Sequence, residues 1–78
     1  MRALGGNEAQ ERREARELVH KALAQMEPKF RSVIVLRMLE GYSSQEAAQI
    51  LQVPLGTILS RLTRARGKLK EILKKMIA

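Results

Sequence analysis

Apolar residues return along this chain at three- and four-residue intervals and nowhere alternate strictly, so the pattern predicts helices and no strand. Ala15, Leu18, Val19, Ala22, Leu23 and Met26 draw one stripe along a first amphipathic helix, expected over 7–26. Gly5-Gly6 reads as a flexible lead-in, Asn7 as the N-cap and Gln10 as its capping-box partner. Glu8 with Arg12 and Glu17 with Lys21 have the i,i+4 spacing of favourable pairs on the wet side. Pro28 suits the first turn of a second helix, 28–40, where its missing N–H costs nothing. Phe30, Val33, Ile34, Leu36 and Leu39 supply its apolar cover, and Gly41 is a natural left-handed stop. Ser43 and Glu46 make a capping box that opens a short third helix, 43–51, packed through Ala47, Ala48 and Leu51. The two alanines fit a close helix crossing. Gln52-Val53-Pro54 is then a tight turn into a fourth helix, 54–76.

The fourth helix divides by angle. At about 100° per residue, Leu62, Ala65, Leu69, Ile72 and Met76 all fall within about 40° of Ile58 and form a core stripe. Diametrically opposite lie Gly56, Ser60, Thr63 and Gly67, a meridian of small residues flanked by Leu59 and Arg64. Small residues let a helix axis approach a partner closely, and after a tight turn the expected partner is the floor of the DNA major groove. The bland alternative is that Gly67 simply weakens an exposed helix by about 1 kcal/mol. The predicted fold is all-α: four helices, the last two a C-terminal helix-turn-helix, with no wing.

Charge agrees with a polyanionic partner. Pro54 to Ala78 hold seven Lys or Arg against one acid, Glu71, and so carry +6 of the formal net charge of +7. Phosphate contacts reward such an excess by releasing condensed counterions. The chain has 78 residues and no cysteine, which excludes disulfides, thiolate metal sites and a thiol nucleophile, and fits a cytoplasmic home. Its longest branched-aliphatic run, Val33 to Leu36, is far short of the roughly 20 residues a membrane span needs. Phe30 and Tyr42 are the only aromatics, too few for single-strand base stacking. His20 is the sole histidine, set among helix-one charges, with no acid–base pair, nucleophile or phosphate-cradling loop beside it. The residues therefore predict no catalysis, no metal and no cofactor.

Arg31, Val33, Leu36, Gly41, Ser43, Glu46-Ala47-Ala48, Leu51, Val53-Pro54, Gly56-Thr57, Ser60-Arg61-Leu62, Arg64-Ala65-Arg66 and Leu69 together resemble region 4 of bacterial extracytoplasmic-function sigma factors. The resemblance covers roughly residues 15 to 75. The run from Gly56-Thr57 through Ser60-Arg61-Leu62 to Arg64-Ala65-Arg66 is its most distinctive part. It implies a domain that binds the promoter −35 element and the flap of the RNA polymerase β subunit, and that an anti-sigma factor often masks. Carried over residue by residue, it makes Leu59, Ser60, Thr63 and Arg64 base readers. It puts phosphate contacts on Arg37, Ser43 or Ser44, and Thr57. Arg61 borders the core stripe and either pairs with a helix-three carboxylate such as Glu46 or reaches DNA. Arg66 meets a phosphate or only water.

Three positions depart from the family pattern. Glu27 stands where Leu usually precedes the helix-two proline, and Gln52 where the turn often has Gly. Leu59 replaces a basic or polar residue; it cannot donate to guanine but can pack on a thymine methyl. Residues 1–6 read as the remnant of an interdomain linker and 7–78 as the domain. Region 2, which in the family grips the polymerase clamp, has no counterpart here, so an excised domain is expected over a stand-alone protein. Two rival functions remain: a stand-alone helix-turn-helix regulator, and a module acting mainly through protein partners.

Overall fold

The computed structural model describes residues 5–77, with side chains from Glu8 to Ile77. Four helices follow in order: α1 (Gly5–Ala24), α2 (Pro28–Ile34), α3 (Ser44–Leu51) and α4 (Leu55–Ile77). Among the described residues there is no strand. The fold is all-α, as the spacing predicts. A π-helical turn over Val35–Leu39, which the spacing did not predict, carries α2 onward.

Each boundary has a local cause. α1 ends where Gln25 and Met26 donate to the Ala22 and Leu23 carbonyls, both at 3.0 Å, in tight closing turns. Glu27 is then extended, with ψ 144°, as the residue before a proline prefers. Pro28 takes the first turn of α2, where no N–H is missed. Gly41 adopts φ +82°, the left-handed stop expected of it. At its other end α1 starts earlier than expected. Gly5 and Gly6 are helical, so Asn7 lies inside the first turn instead of capping it. The rest of the proposed linker, residues 1–4, lies outside the described residues.

α4 is the hub. It packs against α1, α2 and α3, and its contact with α2 is the most extensive in the molecule. Val33, Ile34 and Ile58 are the largest fully buried side chains, and Leu23, Met26, Phe30, Ala47, Ala48, Leu62 and Ala65 complete the core. The angular stripe on α4 is thus correct and graded: Ile58, Leu62 and Ala65 are buried, while Leu69, Ile72 and Met76 are half-buried.

Two expected packing positions lie elsewhere. Ala15 is exposed, as is every residue from Glu8 to Glu17. A helix of about 30 Å outruns a body whose shorter extents are 27 and 16 Å, so only the second half of α1 finds a surface. Leu39 is 45% exposed rather than covering helix two. Glu40 donates to the Val35 carbonyl at 2.8 Å, five residues back. Leu39 owes its exposure to phase: at about 100° per residue it stands about 180° from Phe30 and about 140° from Ile34, the buried side of α2.

The tightness of the α3–α4 crossing can be measured. Ala47 has no exposure and belongs to the core, so Ala47→Leu should overpack the site and cost about 1–3 kcal/mol. Urea unfolding checks this, and an unchanged midpoint would refute the close crossing. Gln52, held at φ 57°, should by contrast give a domain more stable by about 1 kcal/mol when replaced by Gly.

Candidate nucleic-acid interface

The interface starts with how α3 is held. Ser43 Oγ accepts from the Glu46 N–H at 3.0 Å, and Glu46 Oε1 accepts from the Ser43 N–H at 2.8 Å. This is the capping box expected from the sequence. It engages one carboxylate oxygen of Glu46 at the start of its own helix. Behind Ser43, Arg37 reaches across the loop. Its Nη1 donates to the Tyr42 carbonyl at 2.6 Å, and its Nε is buried without a hydrogen-bond partner. Arg37 therefore acts first as a strut between the π-turn and the cap of α3.

The turn into α4 is equally defined. Val53 N–H donates to the Ala48 carbonyl at 3.0 Å and Gln52 N–H to the Gln49 carbonyl at 3.3 Å, with Gln52 left-handed. This closing pattern is usually built with glycine. Pro54 then accepts from Thr57 at 3.0 Å and Ile58 at 3.3 Å to open α4. The Thr57 N–H is thereby satisfied internally, which leaves its hydroxyl to meet an outside ligand.

On α4 the small meridian faces open space. Gly56, Ser60, Thr63 and Gly67 are all exposed. A Cβ built on Gly56 or on Gly67 would meet nothing within 4 Å. The smallness of these two glycines therefore serves no internal contact among the described residues. Leu59 beside it is 49% exposed, and Arg64 on the other side is exposed. Thr63 Oγ1 donates to the Leu59 carbonyl at 3.1 Å, tying that hydroxyl to its own helix. The structure thus brings Leu59, Ser60, Thr63 and Arg64 onto one solvent-facing surface.

The cationic residues separate into two flanks. Arg61 is half-buried and lines a cleft with Lys29, Thr57, Ser60 and Arg64. Arg66 lies on the other flank, beside Lys70 and Lys74. That second flank holds a feature the sequence reasoning missed: an apolar groove of Met38, Leu69, Leu73 and Ile77. Leu73 and Ile77 sit about 60° and 100° from Ile58 by residue count, so the signal was legible in the same angular plot. Exposed Leu39 and Tyr42 are further apolar surface on the adjoining stretch of chain. His20 is exposed on α1.

A compact α-domain with a capped α3, a left-handed turn and an open small meridian on α4 defines the helix-turn-helix class. Comparison with known proteins gives the family. The model described as "Sigma-70, region 4" matches residues 16–69, and the chain belongs to that family. It is 34% identical over 59 residues to the RNA polymerase sigma-H factor of Pseudomonas aeruginosa, covering 76% of this chain and 31% of that protein. It is 43% identical over 54 residues to the ECF RNA polymerase sigma factor SigE of Mycolicibacterium smegmatis, covering 69% of this chain and 21% of that protein. The ECF RNA polymerase sigma-E factor of Escherichia coli is 40% identical over 53 residues, covering 68% and 28%. The chain spans under a third of the length of these relatives.

The capping box generates a direct expectation. Ser43→Ala removes the acceptor for the Glu46 N–H and should cost about 1 kcal/mol of stability. Thermal unfolding together with hydrogen exchange at Glu46 would read it. An unprotected Glu46 amide already present in the unsubstituted protein would contradict the cap.

Proposed function

We propose that this chain is the −35-element recognition domain of an alternative sigma factor, directing RNA polymerase to promoters in transcription initiation. What carries the proposal is the exposed meridian of α4: small residues, with room for a Cβ at both of its glycines, on a basic helix directly after a tight turn. A helix with that surface fits the major groove, which admits one α-helix. Leu59, Ser60, Thr63 and Arg64 read base edges. Ser43, Ser44, Thr57, Arg61 and Arg66 contact phosphates, and Arg37 supports Ser43 through the loop it braces. Residues 7–78 act as one binding module, working in the cytoplasm without catalysis.

A protein partner belongs to the same proposal. The groove of Met38, Leu69, Leu73 and Ile77 is apolar, with Met38 and Ile77 exposed and Leu69 and Leu73 half-buried. Surface of this kind, rimmed by polar groups, marks docking sites. We assign it to the RNA polymerase β flap, with an anti-sigma factor competing for the domain. Alone, the module binds duplex DNA only in the roughly micromolar or weaker range of non-specific contacts. Attachment to polymerase raises its local concentration at the promoter and makes the contact effective.

Arg64 carries the forked donors that match guanine O6 and N7, so Arg64→Ala should cost about 1–3 kcal/mol and relax preference at one base pair. Lys74 lies ten residues further along, some 15 Å at the helical rise, and Lys74→Ala should weaken all sequences about equally. A panel of duplexes with each −35 position varied compares the two. Uniform loss for Arg64→Ala with a changed base preference for Lys74→Ala would remove α4 from the groove as placed here. Binding of the isolated chain should also fall steeply as salt rises. Tight, salt-insensitive binding, measured by fluorescence titration, would contradict a tethered module.

A further inference from the structure

We propose that Lys29 and Lys68 form a phosphate rail for the DNA strand on the α2-facing flank of α4, a contact that rests on α4 lying in the major groove. A helix in that groove has one sugar-phosphate strand on each side, because the groove is only about 12 Å wide. Of the phosphate contacts already assigned, Arg66 stands on one flank, and Arg61 is the charged one in the cleft on the other, where further cations would serve the second strand.

The structure supplies them from two separate elements. Lys29 stands in the first turn of α2 and Lys68 midway along α4, and both place Nζ 5.2 Å from the centre of the Phe30 ring. Phe30 is buried, at 4% exposure, whereas both lysines are exposed. One ring thus gathers two ammonium groups at the surface. Beside them a cleft is lined by Lys29, Thr57, Ser60, Arg61 and Arg64, and no acid lines it. Glu27 and Glu71 line the adjoining cleft, where Arg64, Lys68 and Lys75 stand with them. The row Lys29, Arg61, Arg64, Lys68 therefore presents cations along one side of the base-reading meridian.

The ring also explains why lysine suffices. A free lysine loses rotamer freedom when it meets a phosphate, and a contact already ordered in the unbound protein lowers that cost. Attraction between an ammonium and a ring face holds each side chain in place while its charge stays available. If the pair only covered Phe30, its charge would leave no mark on DNA binding.

The experiment is a fluorescence titration of the whole chain with a short duplex of random sequence and one of promoter sequence, across a salt series. Lys29→Gln and Lys68→Gln should each lower the slope of log affinity against log salt by about 0.9. They should weaken both duplexes equally, and Lys29→Arg with Lys68→Arg should restore the slope. An undiminished slope in the folded double Gln variant overturns the rail. If Arg64→Ala still relaxes base preference in that case, the helix-in-groove placement survives and only the rail falls. An unsubstituted chain without salt dependence overturns both. An arm independent of any variant neutralises the phosphates of one strand at a time with methylphosphonates. Loss of affinity from either strand is expected, and loss from one strand alone overturns the rail.

Discussion

Burial of the Ile58–Leu62–Ala65 face of α4 is the interaction on which everything else rests. Ile58 and Ala65 are sealed from solvent, and α4 touches each of the other three helices. Every fully buried aliphatic side chain contributes about 1.5–3 kcal/mol, and a domain of this size has few of them. With one helix serving as the floor of the whole core, fixing that face also fixes the opposite one. The meridian of Gly56, Ser60, Thr63 and Gly67 is presented outward because Ile58 and Ala65 are held inward. Core and recognition surface are two sides of one rotation angle.

That coupling accounts for how much of the molecule the sequence revealed. A three- and four-residue period identifies a helix and its buried side together, so the four helices, the α4 stripe and the open meridian were all legible. Turn chemistry was legible for a similar reason: Ser43 with Glu46, Pro28 and Gly41 are residue types whose preferred backbone or bonds are local. The features that escaped depend on non-local geometry. The π-turn at Val35–Leu39 leaves no mark in composition, whereas the exposure of Leu39 follows from its phase, about 180° from Phe30. Ala15 has the right phase to be buried, but its position beyond the body of the domain depends on how far α1 outruns its neighbours. Asn7 is a good cap by type, yet helical glycines upstream leave it inside the helix.

The candidate site was legible to the same degree. Residues on α4 were placed correctly on one surface, since a single helix carries them. Arg37 was harder: the sequence reading gave it a phosphate role only, and the structure adds a bond to the Tyr42 carbonyl. Such a contact is a matter of reach across a loop, and spacing along the chain does not encode reach. The lysine pair on Phe30 is the extreme case. Its members lie thirty-nine positions apart, and only the packing of α2 on α4 brings them to one ring.

The unbroken length of α4 has a mechanical consequence. Its first half carries the open meridian, its second half the apolar groove, and no proline or turn intervenes between Leu55 and Ile77. A ligand at one end and a ligand at the other are therefore joined by a rigid rod that sets both separation and bearing. Inserting a single residue near Gly67 would change the separation by only about 1.5 Å but swing the bearing by about 100°. Such a chain would keep both surfaces intact and still point them the wrong way, as a weathervane does when its shaft is twisted.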